Sequence, residues 1–156
     1  MIGTKIPVVI EVASAAKDPH GRLEEASQVL FPGTLEQRSA EEWILRYQET
    51  QEDEADHSRM THDVYVQVKG QRVTVLRKGP YSMMMVLEHG KRYQTDYHTP
   101  YGDMAMGVYP IQVQTRMAPE SGTVRLEYQL DLQGDFASVR RMQLSYTLTE
   151  SVGKPC

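Results

Sequence analysis

Tyr93-Gln-Thr-Asp-Tyr-His-Thr-Pro-Tyr-Gly102 reads as a strand running into a reversal. Tyr93, Thr95, Tyr97 and Thr99 lie two residues apart, so an extended chain puts them on one face, and Tyr and Thr suit strands. Pro100 fixes its own φ and holds Thr99 extended, while Gly102 can take the positive φ that a reversal often needs. The same period of two extends outward in both directions. Val124, Leu126, Tyr128, Leu130 and Leu132 alternate with Arg125, Glu127, Gln129 and Asp131, and Met142, Leu144, Tyr146 and Leu148 repeat the pattern. Val64, Val66 and Val68, then Gly70, then Val73 and Val75 predict a hairpin. Lys78-Gly79-Pro80, His89-Gly90-Lys91 and Ser121-Gly122 punctuate further connections. About ten strands joined by tight turns describe an antiparallel meander closed into a barrel.

The parity slips once. Met104, Met106 and Val108 set an even buried register, but Ile111 and Val113 set an odd one, which predicts a bulge near Tyr109-Pro110. Residues 17–25 and 50–61 are polar and aperiodic and are expected to be loops. Around residues 39–49 two readings compete. Ser39-Ala40-Glu41-Glu42 is a capping-box pattern with Trp43, Ile44 and Tyr47 on one helical side, whereas a strand would align Trp43, Leu45 and Tyr47.

Leu76-Arg77-Lys78-Gly79, the Tyr93–Gly102 stretch and the long strand ending at Thr115 together resemble the YwiB-like family of bacterial proteins, a domain of unknown function. The resemblance runs from about Ile6 to Thr149 and is strongest from Tyr93 to Thr115. Trp43 and Pro110 have no assigned counterpart in it. It implies a calycin or lipocalin-like barrel and carries no catalytic residue, since no activity is established for members. Tyr47-Gln48-Glu49 matches a Tyr-x-Glu element of the family, and on that ground residues 39–49 are read as strand. The expected fold is all-β: a single antiparallel barrel, closed or nearly so, of eight to ten strands, one domain over 1–156 with its core at about 6–149.

A chain of 156 residues suits one domain that buries roughly 70% of its unfolded surface. Its net charge of −4 and scattered basic pairs, Lys91-Arg92 and Arg140-Arg141, argue against nucleic-acid binding. The apolar run Ile6 to Ile10 is short and interrupted by Glu11, so it reads as a strand despite Ala13-Ser14-Ala15 after it. No segment reaches the ~18 apolar residues of a membrane helix. The single cysteine, Cys156, can form no internal disulfide, which suits a reducing cytoplasm.

Polar residues on otherwise apolar faces mark where chemistry could sit. Glu49 follows Trp43, Leu45 and Tyr47; Arg77 follows Val73 and Val75; Thr115 follows Ile111 and Val113. A charge buried alone is costly, so an inward Glu49 and Arg77 are expected to pair. Tyr47, Tyr97, Thr115 and Tyr128 would then complete a polar patch in the lumen. The competing reading leaves Glu49 and Arg77 solvated at strand ends or fixing strand register. The nine methionines, Met83-Met84-Met85 and Met104, Met106 among them, read as core filler. His98 lies opposite Tyr97 and Thr99 and so faces outward, unsuited to a haem. The acidic run Glu49, Glu52, Asp53, Glu54, Asp56, followed by His57 and later His62, lacks metal-ligand spacing. No cofactor or metal is expected.

Two functions fit. One is a cytoplasmic, non-catalytic barrel holding a small, partly apolar or anionic molecule on Arg77 and the tyrosines. The other is a filled barrel acting as a protein-interaction or scaffold module, through loops, outer wall or homodimer contacts. Lumen volume decides between them, because inward Trp43, Leu45, Tyr47, Tyr128 and Tyr146 would leave little room. Acid–base catalysis at Glu49 is a distant third.

Overall fold

The computed structural model describes residues 3–52 and 56–149, and all regular structure in them is antiparallel β. Ten strands form one sheet: β1 (Lys5–Lys17), β2 (Leu23–Gln37), β3 (Glu42–Glu52), β4 (Arg59–Lys69), β5 (Arg72–Lys78), β6 (Met83–Leu87), β7 (Tyr93–Thr99), β8 (Gly102–Met117), β9 (Ser121–Leu132) and β10 (Asp135–Leu148). Their spatial order is β6-β5-β4-β3-β2-β1-β10-β9-β8-β7. The chain therefore advances by hairpins, and the one long-range ladder joins β1 to β10, with Val8 opposite Leu148 and Ala16 opposite Arg140.

The sheet curls until its outer strands nearly meet, giving a nearly closed barrel of the calycin type. Two contacts hold the seam. Ser82 and His98 exchange backbone hydrogen bonds of 2.9 Å each, bringing the start of β6 to the end of β7. Below them, the β4–β5 hairpin reaches the free edge of β8. The Thr115 hydroxyl donates to the Gly70 carbonyl at 2.8 Å, and the Thr115 N–H to Gln71 Oε1 at 3.2 Å. Gly70 turns this hairpin at φ 61°, a conformation that strongly favours glycine.

Alternation sets the core. Val8, Ile10, Trp43, Leu45, Tyr47, Val64, Val66, Val68, Val73 and Val75 point inward from one half of the sheet. Met85, Leu87, Met106, Val108, Val124, Leu126, Tyr128, Leu130, Leu144 and Tyr146 meet them from the other. Tyr146 anchors one end, its hydroxyl donating to the Ala118 carbonyl at 2.6 Å and accepting the Ala118 N–H at 3.1 Å. Its ring lies so close over Gly122 that a Cβ there would come within 2.5 Å of ring atoms. Met85 is buried, Met83 half-buried and Met84 exposed, as strand parity requires.

Residues 39–49 are strand and turn: β3 begins at Glu42, and Ser39 caps the preceding turn by accepting the Glu41 and Glu42 N–H groups. The bulge falls at Ile111, between the pairs Pro110–Tyr128 and Gln112–Glu127. As the extra residue, Ile111 is 49% exposed and not buried, while Val113, Thr115 and Met117 carry the new inward parity. The expected loops are much shorter. β1 continues to Lys17 and β2 starts at Leu23, joined by a turn in which Asp18 Oδ1 accepts the N–H groups of His20 and Arg22 at 2.9 Å. β3 runs to Glu52 and β4 starts at Arg59. Asp53 and Glu54 of the acidic run lie outside the described residues, as does Cys156.

Candidate functional site

The polar residues gather at the barrel end where β3, β4 and β5 pass the seam. Glu49 shares the inward parity of Trp43, Leu45 and Tyr47 on β3, directly opposite His62 on β4. Arg77 is the last inward position of β5, opposite Val64 on β4 and Met83 on β6. The guanidinium bridges to the carboxylate across β4. Arg77 Nη2 donates to Glu49 Oε1 at 2.9 Å and Oε2 at 3.1 Å, so one nitrogen serves both oxygens, short of a two-nitrogen bidentate clasp. Both side chains are half-buried, which strengthens the contact relative to a surface pair without fully desolvating either charge.

His62 is the unexpected member. It is 0% exposed, sharing the inward parity of Val64, Val66 and Val68. Its Nε2 accepts the Tyr81 backbone N–H at 3.2 Å, which leaves the proton of the neutral ring on Nδ1, and Nδ1 has no partner among the described residues. Burial holds the imidazole below its usual pKa; Arg77 pushes the same way and Glu49 opposes. Gly79 makes room for the ring. With φ 156°, and with a Cβ that would come 2.6 Å from His62 Cδ2, that position admits only glycine without rearrangement.

Tyrosines surround the cluster. Tyr81 lies 6.1 Å from the His62 ring and 6.2 Å from Tyr97, centroid to centroid. Tyr47 is buried and stacks on Phe31 at 4.7 Å; burial and the Glu49 charge raise its phenol pKa while Arg77 lowers it. Tyr128 is buried too, its pKa raised by burial against the fields of Arg140 and Arg77. Arg140 opposes Tyr128 across the β9–β10 ladder, with Nε 3.3 Å from the buried Ser138 hydroxyl and Nη1 3.1 Å from Glu25.

The structure thus brings Tyr47, Glu49, Arg77, Tyr97 and Tyr128 to one region and leaves Thr115 out. Thr115 is bound to the β4–β5 turn, roughly 20 Å along β5 from Arg77 at the usual strand rise. Tyr81 and Ser138 were not singled out from the sequence, His62 was considered only beside the acidic run, and Arg140 only within a basic pair. For His62 the signal was present: the Val64, Val66, Val68 parity extended back by two residues places it inside. Chemically the cluster is restrained. Glu49 is engaged by Arg77, and the only lone pair of the neutral His62 ring is engaged by Tyr81.

Other features are simpler. Among the described residues no three His, Cys, Asp or Glu side chains form a metal-ligating group, and no helix is long and apolar enough to cross a membrane. His98 faces outward beside Asp103, at 2.9 Å. Recesses open on the outer surface: about 450 Å³ beside Gln71, Thr115, Arg116 and Arg125, and about 620 Å³ beside Asp96, Tyr109 and Asp131.

An all-antiparallel, nearly closed barrel with a core-filled interior and a polar end defines the class, and the chain belongs to the family of the DUF1934 domain of unknown function, whose model matches residues 10–144. Its fold is similar to that in the crystal structure of the ywiB protein from Bacillus subtilis, with a TM-score of 0.76, 18% identity and 92% of each chain covered. No curated protein matches the chain.

Proposed function

We propose that this protein works through its surface, as a filled-barrel interaction module in the bacterial cytoplasm, and not by enclosing a small molecule. One observation carries the reading. Trp43, Leu45, Tyr47, Tyr128 and Tyr146 all point inward and are all buried, so the bulkiest side chains on the inner faces occupy the lumen a ligand would need. A single cysteine in the sequence agrees with a reducing compartment.

A second reading keeps a small, partly apolar or anionic molecule at the polar end, on Arg77, Tyr47, Tyr97 and Tyr128. The unpartnered Nδ1–H of His62 beside Arg77 favours it, because a buried donor left unsatisfied costs about 1–3 kcal/mol. Native mass spectrometry of protein purified gently from its source cell separates the two. The filled barrel is expected to show the bare chain mass or whole multiples of it. Excess mass that disappears on denaturation and in Arg77→Ala would overturn that reading in favour of the second.

A further inference from the structure

β2 is paired with β1 along its length, but with β3 only from Gly33 to Gln37. Among the described residues, no ladder occupies the other edge of Leu23–Pro32. The parting has local causes. Pro32 has no N–H to donate, and beyond Tyr47 β3 keeps to β4, Gln48 to Glu52 pairing with Asp63 to Arg59.

Proteins blunt such edges with lysine, proline or short strands. Here Leu23-Glu-Glu-Ala-Ser-Gln-Val-Leu-Phe31 has no lysine, arginine, proline or glycine, and one bulge, at Glu24. Three of its apolar side chains are open to solvent: Leu23 at 62%, Val29 at 44% and Leu30 at 63%. Among the described residues, the result is an extended, largely apolar edge with no ladder on its backbone donors and acceptors.

We propose that this edge pairs antiparallel with the same edge of a second copy of the chain, across a two-fold axis through Ser27. The proposal rests on the filled-barrel reading and names its partner. Charge excludes the registers in which carboxylates meet, and the apolar ends favour the one centred on Ser27. Centred on Ser27, the pairing sets Leu23 against the partner's Phe31, Glu24 against the partner's Leu30, Glu25 against the partner's Val29 and Ala26 against the partner's Gln28. Every carboxylate then faces an apolar residue, and the apolar ends of the segment meet each other. Registers centred on Glu24 or Glu25, or between them, would stack carboxylates face to face, which is unfavourable. A segment that is apolar at both ends and acidic off-centre is complementary to itself when reversed, as an isologous contact requires.

The test is light scattering on the full chain over a micromolar concentration series. Wild type is expected to pass from one chain mass to two. Ser27→Lys and Ser27→Glu, each placing like charges on the axis, are expected to remain at one chain mass while melting as cooperatively as wild type. An equimolar mixture of the two should restore the dimer, a rescue that a misfolded variant cannot give. A wild type that keeps a single chain mass throughout, a dimer indifferent to both substitutions, or a mixture that fails to associate overturns the proposal. Such a failure is distinct from failure of the filled barrel, which would show as excess small-molecule mass on a chain of any oligomeric state.

Discussion

Leu35 and Val29 sit on the same strand, six residues apart on the inward face, yet one is 1% exposed and the other 44%. The difference is a neighbour. At Leu35 β2 has β1 on one side and β3 on the other, with Leu45 directly opposite; at Val29 it has β1 alone. At the junction a Cβ on Gly33 would overlap the Arg46 carbonyl and come 2.7 Å from Ile10 Cδ1, so the three strands press together there before they part. Backbone pairing on one edge is enough to keep β2 extended, but in this strand the inward side chain is fully buried where β3 covers the other edge as well.

Leu35→Ala is expected to cost about 2–5 kcal/mol by urea denaturation, the range for emptying a core position. Equal costs for Leu35→Ala and Val29→Ala would break the comparison at once. Glu49 lies where β3 has left β2, and its contact with Arg77 ties β3 to β5 across β4. Removing either side chain is expected to cost about 1–3 kcal/mol, the order for a charge-assisted hydrogen bond. The double variant should cost no more than the worse single, because the second removal finds no partner left to strand. Strict additivity would show that the two charges are solvated independently.

His62 sharpens the same contrast through pH. Its imidazole has a depressed pKa in the folded chain, so on acidification the unfolded chain binds the proton first. Stability is therefore fully present above the ordinary histidine value of 6.5 and is lost as pH falls through it toward the folded value. Thermal melting at pH 5 is expected below that at pH 7.5, and His62→Phe should flatten the dependence; an unchanged slope in that variant would remove His62 from the account. Val29→Ala, at low protein concentration, is expected to change stability by under about 1 kcal/mol.

Much of the fold was written in the side-chain alternation. β9, β10 and the Gly70 hairpin follow directly from it, and the parity slip marks the bulge within a residue. The alternation fails where strands overhang the core. In β1 and β2, Ser14 faces Ser27 on the inward parity, their hydroxyls 2.9 Å apart, so the apolar period lapses although the ladder continues to Lys17 and Leu23. That is why residues 17–25 look like a loop. The ends of β3 and β4 mislead for the same reason. At the polar end, the Glu49–Arg77 contact was legible because charges on apolar faces need partners. Thr115 was misplaced because parity gives the face of a strand and not the height along the barrel; the register with the β4–β5 turn fixes that. Arg140 and Ser138 continue the parity of Met142, Leu144 and Tyr146 back along β10, so, like His62, they were legible by extending that period.

The strand order has a consequence for how the chain folds. Sheet order read from β7 through β10 and on from β1 to β6 is an unbroken meander, so the two edge strands, β6 and β7, are neighbours in sequence, linked by the turn closed by Glu88 and Lys91. Eight of the nine ladders are hairpins that need only local search, which the β1–β10 pairing alone does not. The entropy of loop closure, which grows only with the logarithm of chain length, falls on that single event. Two local meanders, β1 to β6 and β7 to β10, can form in either order, and β1 meeting β10 makes one molecule of them.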